Sequence, residues 1–187
     1  MNVTHADLLR LFEAAAFAAE QHRFQRRNGF DALPYINHLI KVALVLMEAG
    51  ETDMNLLVAA ILHDLVEDTE TTHGDLTARF GKKVADIVIE VTDDMTLPYS
   101  ERKRLQLERS ISLSEEAKKI RIADKLCNIR DIISYPLDWT PERKMAYIEW
   151  SEQMMDRLRG LNPKLEAFFD EAVKEGKNLL DPRPHET

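Results

Sequence analysis

Apolar positions recur along this chain with the spacing of helices and form no long alternating stretch of the kind a strand needs. Leu8, Leu11, Phe12, Ala15 and Ala19 make one stripe, and Val84, Ile87, Val88 and Val91 repeat the i, i+3, i+4, i+7 pattern of an amphipathic helix. Gly50, Gly81, Gly160 and Gly176 stand where helices can stop. Thr140-Pro141 and Asn162-Pro163 pair a cap residue with proline at the first helical position, and Thr72 with Asp75 has the form of a capping box. The pattern predicts helices over 4–22, 37–49, 53–67, 73–80, 82–93, 100–110, 114–134, 141–159 and 163–175. The expected fold class is all-α, a single compact helical bundle over residues 1–177, with 178–187 as a flexible C-terminal tail that carries Pro182 and Pro184 and no core-forming pattern. Two segments interrupt the helices, Arg26 to Tyr35 and Asp94 to Tyr99, each with a proline that disfavours helix before it, and both are candidate substrate loops.

Composition narrows the function classes. The 187 residues suit one domain, and 44% apolar content is enough for a core. A net charge of −8 argues against a general binder of nucleic acid or membrane surface, since both are anionic, so any phosphate site must be a local cationic patch. Met1 to Arg10 has no charged segment followed by an apolar block, and no apolar run approaches the roughly 20 residues of a membrane span. One cysteine, Cys127, makes no internal disulfide and fits a reducing compartment. The expected location is the cytoplasm, and nothing in the sequence sets an oligomeric state.

Chemistry concentrates at the end of Met54 to Asp68, MNLLVAAILHDLVED, whose first nine residues are apolar on nearly every side apart from Asn55 and so should be buried. His63 and Asp64 are followed one turn later by Glu67 and Asp68, so that all four can edge one cavity. Crowded carboxylates repel and would protonate if buried unpaired, whereas a divalent cation holds them ionised. Two other segments supply candidate ligands. His38 lies near the start of a helix whose Ile36, Ile40, Ala43, Leu44 and Met47 are expected to face the core, which would carry the imidazole inward. Ile122, Leu126, Ile129 and Ile133 form a further stripe, leaving Asp124 and Asn128 together on an adjacent face. Imidazoles with carboxylates suit Mn²⁺, Fe²⁺ or Zn²⁺ without choosing sharply among them.

His38, His63-Asp64 and Asp124, in that order, resemble the H…HD…D signature of the HD phosphohydrolase superfamily. The words HRFQRR, PYINH, AAILHDLVEDTETT, RFG, EVTDD, LPYSERKRLQLE and ADKLCNIRD, with Trp139 and Glu149-Trp150, narrow the resemblance over about residues 4–175 to the small alarmone hydrolases. These are the stand-alone hydrolase branch of the RelA/SpoT homologues, which includes the metazoan SpoT homologues. The resemblance implies one Mn²⁺ held by His38, His63, Asp64 and Asp124, with Glu67 and Asp68 acting jointly on the attacking water. It further implies Asn128 near the nucleotide ribose, Arg27 beside the base and Arg143 facing the phosphates, and the reaction is removal of the 3′-pyrophosphate of (p)ppGpp to give GDP or GTP. An acidic protein with so anionic a substrate needs a focused cationic wall, for which Arg23, Arg26, Lys103, Arg104, Lys125 and Arg143 are available.

Departures from the family pattern surround the substrate rather than the metal: Asn28 in place of a common lysine, Leu33 for threonine, Met95 for lysine, and Tyr99 at a site often basic. Within the same family, hydrolysis of (p)ppApp or of the 2′-phosphate of NADPH stays open. So does another nucleotidase or phosphodiesterase activity on the same metal set, while a silent nucleotide-sensing or scaffold domain should have lost a ligand or the Glu67-Asp68 pair. His5, His22, His73 and His185 read as surface residues, Cys127 as inert packing, and Tyr147, Trp150, Phe168 and Phe169 as core.

Overall fold

The structure is a computed structural model that describes residues 3–27 and 32–181. Among the described residues it is helical, with no strand and one isolated bridge between Arg26 and Pro34. The chain runs α1 (His5–Gln21), α2 (Ile36–Glu48), α3 (Met54–Leu62), α4 (Leu65–Asp68), α5 (His73–Phe80), α6 (Lys82–Val91), α7 (Tyr99–Arg109), a 3₁₀ turn (Ser110–Ser112), α8 (Glu115–Ser134), α9 (Pro141–Leu158) and α10 (Pro163–Leu180). No helix among the described residues is long and apolar enough to cross a membrane.

Two helices form the centre. Every residue of α3 from Leu56 to Leu62 is buried, as its lack of polar positions requires, and the helix packs against α1, α2, α6 and α8. The longer α8 contacts α2, α3, α6, α9 and α10, burying Ile122, Leu126 and Ile129 together with Arg121, Asp124 and Lys125. Charged groups so placed must be paired, and these are. The stripe of α6 is buried as the spacing predicts, with Val84, Ile87, Val88 and Val91 all facing inward.

Caps set the boundaries. Thr4 and Thr72 each form a reciprocal capping box, with Asp7 and Asp75 respectively, and the Ser114, Thr140 and Asn162 side chains accept from the first turns of α8, α9 and α10. Gly81 ends α5 and opens α6 at φ 87° and ψ 156°, a conformation that a Cβ resists.

The structure corrects the sequence reading at four places. On α1 the core side is Ala14 and Ala18, with Leu11, Ala15 and Phe17 packed against it, while Leu8 and Phe12 are exposed, Phe12 by 70%. The fully buried positions are small, so a stripe traced by large side chains is rotated away from the core at Leu8 and Phe12 and meets it only at Leu11 and Ala15. On α2 the buried set is His38, Leu39, Val42, Ala43, Val45 and Leu46, whereas Ile40, Leu44 and Met47 face outward. That helix is apolar on nearly all sides, so its period fits two faces, and packing against α3 and α8 selects the one bearing His38. The predicted helix 53–67 breaks between Leu62 and Leu65, with Asp64 at φ −96° and ψ −2°. Finally, α10 passes Gly176 and continues to Leu180. This glycine is a packing residue: a Cβ there would lie 2.7 Å from Ile148 Cδ1. Asn28 and residues 182–187, including His185, lie outside the described residues.

Candidate metal centre and adjoining cavity

The break after α3 delivers His63 and Asp64 to the start of α2 and the middle of α8, where His38 and Asp124 stand. His63 is buried and its Nδ1 lies 2.8 Å from the carbonyl oxygen of Ala60, one turn back in its own helix. That carbonyl only accepts, so Nδ1 carries a proton and donates, which in the neutral ring leaves the lone pair on Nε2. Nε2 is buried without a hydrogen-bond partner, 3.2 Å from Asp64 Oδ1 and 4.0 Å from Asp124 Oδ1. His38, from the buried face of α2, places Nε2 3.2 Å from Asp124 Oδ1 and 3.9 Å from Asp64 Oδ2. Ligand atoms of His38, His63 and Asp124 all lie within 4.8 Å of one another, and Asp64 stands beside them at the distances just given.

Electrostatics favours the ligating form of His38, Asp64 and Asp124. Burial pushes the His38 imidazole below its usual value and keeps it neutral. Burial raises the Asp64 and Asp124 carboxyls, but the neighbouring groups outweigh it and hold both below the carboxylate range: the histidines and the Tyr35 hydroxyl for Asp64, Lys125 and the histidines for Asp124. Asp124 is fixed at both oxygens, accepting from Lys125 Nζ at 2.8 Å and from Asn128 Nδ2 at 2.7 Å. The Tyr35 hydroxyl donates to Asp64 Oδ2 at 2.7 Å. A neutral His38 imidazole, ionised carboxylates and a buried His63 Nε2 without a hydrogen-bond partner fit a divalent cation.

Glu67 and Asp68 diverge. The Glu67 Oε2 accepts from the backbone N–H of Asp93 at 2.9 Å, and burial pushes its carboxyl up to about 7. Asp68 accepts from Gln25 Nε2 at 3.0 Å and is raised by desolvation and by the Asp64 charge. Both are thus easier to protonate than ordinary carboxylates, as acid–base groups require near neutrality.

A cavity of about 310 Å³ opens beside His38. Arg27 and Asn128 line it and are hydrogen bonded to each other, and Asp131 accepts from Arg27 Nη2 at 3.1 Å and from Lys41 Nζ at 3.0 Å. Trp139 and Tyr147 form apolar walls, and the Arg143 guanidinium lies 4.2 Å over the Trp139 ring. Both segments proposed as loops contribute, through Arg27, Ala32 and Leu33 and through Tyr99.

Other sequence candidates fall elsewhere. Arg23 is exposed and paired with Glu20, and Arg104 is exposed and paired with Glu101 and Glu108. Arg26 donates to the carbonyls of Arg23 and Gln25. Lys125 is buried against Asp124 instead of forming a wall. Lys103 sits over the rings of Tyr99, Tyr147 and Trp150, and burial with the charges of Lys125 and Arg143 lowers it to about 8. Of the histidines read as surface residues, His5 is exposed and His73 pairs with Asp86, but His22 is 2% exposed, its ring stacked on Tyr35 at 4.8 Å. Sequence reasoning missed Tyr35, Lys41, Asp131 and the wall role of Tyr147. A tyrosine within PYINH carried the only signal for Tyr35.

Residues 14–147 match the model of the HD domain family. The chain is 47% identical over 167 residues to guanosine-3′,5′-bis(diphosphate) 3′-pyrophosphohydrolase MESH1 of Xenopus tropicalis, covering 88% of this chain and 93% of that protein. It is 46% identical over 172 residues to the protein of the same name from Homo sapiens, covering 91% and 96%. A solved structure described as a metazoan ortholog of SpoT that hydrolyzes ppGpp and plays a role in starvation responses matches with a TM-score of 0.85 at 44% identity, over 89% of this chain and 94% of that one.

Proposed function

The chain belongs to the HD domain family, and from that premise we propose that it is a manganese-dependent enzyme that hydrolyses the 3′-pyrophosphate of (p)ppGpp, giving GDP or GTP and pyrophosphate. The observation that carries the reading is the bare, buried His63 Nε2 among His38, Asp64 and Asp124, next to a cavity with a nucleotide's mixture of apolar walls and cationic groups. His38, His63, Asp64 and Asp124 would hold the ion, for which Fe²⁺ and Zn²⁺ are the other candidates. A divalent cation there supplies Lewis acidity to the phosphoryl oxygens and acidifies water.

The side chains around it divide the remaining work. Glu67, with its carboxyl near 7, accepts a proton from the attacking water, and Asp68 is the second carboxyl of the pair, together favouring attack at the phosphorus and departure of the ribose 3′ oxygen. Arg27 lies against the base, Asn128 offers its amide to the ribose, and Arg143, which lines the cavity, with Lys103, over the lining rings of Tyr99 and Tyr147, offsets the charge of the phosphates. Arg23, paired with Glu20 on the surface, would serve only to draw the anion in. A small-molecule nucleotide is the partner, one domain carries the whole site, and the cytoplasm is the compartment.

The test is to incubate manganese-loaded protein with ppGpp, ppApp and NADPH in parallel and to resolve the products. Pyrophosphate released from ppGpp faster than from ppApp is expected. Orthophosphate from NADPH as the leading product, or no turnover of any with metal bound, would overturn the proposal.

A further inference from the structure

Glu67 is held from behind by groups that no motif singles out. One carboxylate oxygen, Oε2, accepts from the backbone N–H of Asp93, 2.9 Å away, just after α6 ends at Val91. A backbone amide in a loop is only as fixed as its residue, and here the Asp93 side chain is tied down twice. Its Oδ1 accepts from Arg121 Nη2 at 3.1 Å, and its Oδ2 accepts from Gln106 Nε2. Arg121 and Asp93 are nearly buried at the pair, with side-chain exposures of 11% and 10%. Arg121 stands on α8 one turn before Asp124, so the helix that supplies a metal ligand also anchors the Asp93 loop.

We propose that Arg121 is a positioning residue: through its ion pair with Asp93 it fixes the amide that holds Glu67 Oε2, leaving Oε1 without a hydrogen-bond donor among the described residues and aimed by the restraint on its partner. This rests on the hydrolase reading above. The pair is a costly feature to bury for stability alone, since a buried ion pair of this kind is often matched by apolar residues of similar volume. A clamp on a proton-accepting carboxylate gives it a purpose, because a small misplacement of such a group is expensive in rate.

The test compares wild type with Arg121→Met, Arg121→Lys and Asp93→Asn, all manganese-loaded, on ppGpp. Arg121→Met should lower kcat roughly 10- to 100-fold, the range for removing a partner that orients an active-site group, with KM and bound manganese close to wild type. Arg121→Lys should restore most of the rate. In the Glu67→Gln background Arg121→Met should add no further loss, because the route to the reaction is already cut. Hydrogen exchange at the Asp93 amide should speed up in Arg121→Met, a readout independent of turnover. If Arg121→Met does not fold, Asp93→Asn, which keeps the amide and weakens the ion pair, should give the same lowered kcat. Unchanged kcat in the folded variants, or a full multiplicative loss on top of Glu67→Gln, would overturn the proposal. A wild type that does not hydrolyse ppGpp defeats the hydrolase reading instead, and the exchange measurement then still reports on the clamp.

Discussion

Replacing Tyr35 by phenylalanine removes one oxygen and little else. The ring keeps its stacking on His22 at 4.8 Å and its place 5.5 Å beneath the Arg27 guanidinium, so packing should survive. The 2.7 Å hydrogen bond to Asp64 Oδ2 is lost, and with it the donor that orients a carboxylate proposed to ligate the cation. A hydrogen bond to a charged group contributes about 1.5–3 kcal/mol, which sets a ceiling on the effect. Part of that is present without metal as well, so the change in affinity is the differential part. For a partner that orients a metal ligand this amounts to about 10- to 100-fold, or roughly 1.4–2.7 kcal/mol. Competition with a chromophoric chelator, read at fixed pH, measures the manganese affinity directly, and a melting curve without metal reports the fold. The expected result is weakened manganese binding with a melting temperature near that of wild type. Affinity within twofold of wild type, with the fold intact, would show that Asp64 is held by the ion or the backbone and not by Tyr35.

Three further outcomes follow from the same geometry. Glu67→Gln should keep bound manganese and the fold but slow ppGpp hydrolysis by about 10²–10⁴-fold, and an unchanged rate would reduce Glu67 to a structural contact with Asp93. Lys103, lowered to about 8, is charged below that pH and neutral above it, so KM for an anionic nucleotide should rise between pH 7 and 9. Lys103→Arg, charged throughout, should flatten that rise, and a rise of equal size in the variant assigns the titration to another group. Gly81→Ala should destabilise by about 1–3 kcal/mol, because φ 87° with ψ 156° is open almost only to glycine, and a melting temperature equal to wild type would contradict that strain.

How legible the fold was depended on whether a helix had one apolar face or several. In α6 the polar positions confine the stripe to Val84, Ile87, Val88 and Val91, so period and burial coincide. In α2 nine of the thirteen positions are apolar, and they do not separate the face of Ile40 and Leu44 from that of Leu39, Val42 and Leu46. Only the neighbours α3 and α8 decide, and they are far away in sequence. The α8 helix misleads in the opposite sense, because Arg121, Asp124 and Lys125 look like a polar face until their partners are known.

The proposed ligands and the groups that orient them differ in the same way. His63 and Asp64 are adjacent, with Glu67 and Asp68 one turn on, and carboxylates that follow an apolar helix have few explanations besides a cation. Some of their supports are local, the Ala60 carbonyl for His63 and Lys125 with Asn128 for Asp124, but others are not: Tyr35 reaches Asp64 across 29 residues, Lys41 reaches Asp131 across 90, and Arg27 reaches Asn128 across 101. No spacing rule of a helix connects residues that far apart, since i+3 and i+4 neighbours exhaust what one helix brings together. A local motif can therefore announce that a cation is held, whereas the tightness and selectivity of the site are written in contacts that exist only once α2, α3 and α8 have packed. For that reason Tyr35 and Arg121, which touch neither cation nor substrate in the proposed arrangement, are where substitution should separate binding from chemistry most cleanly.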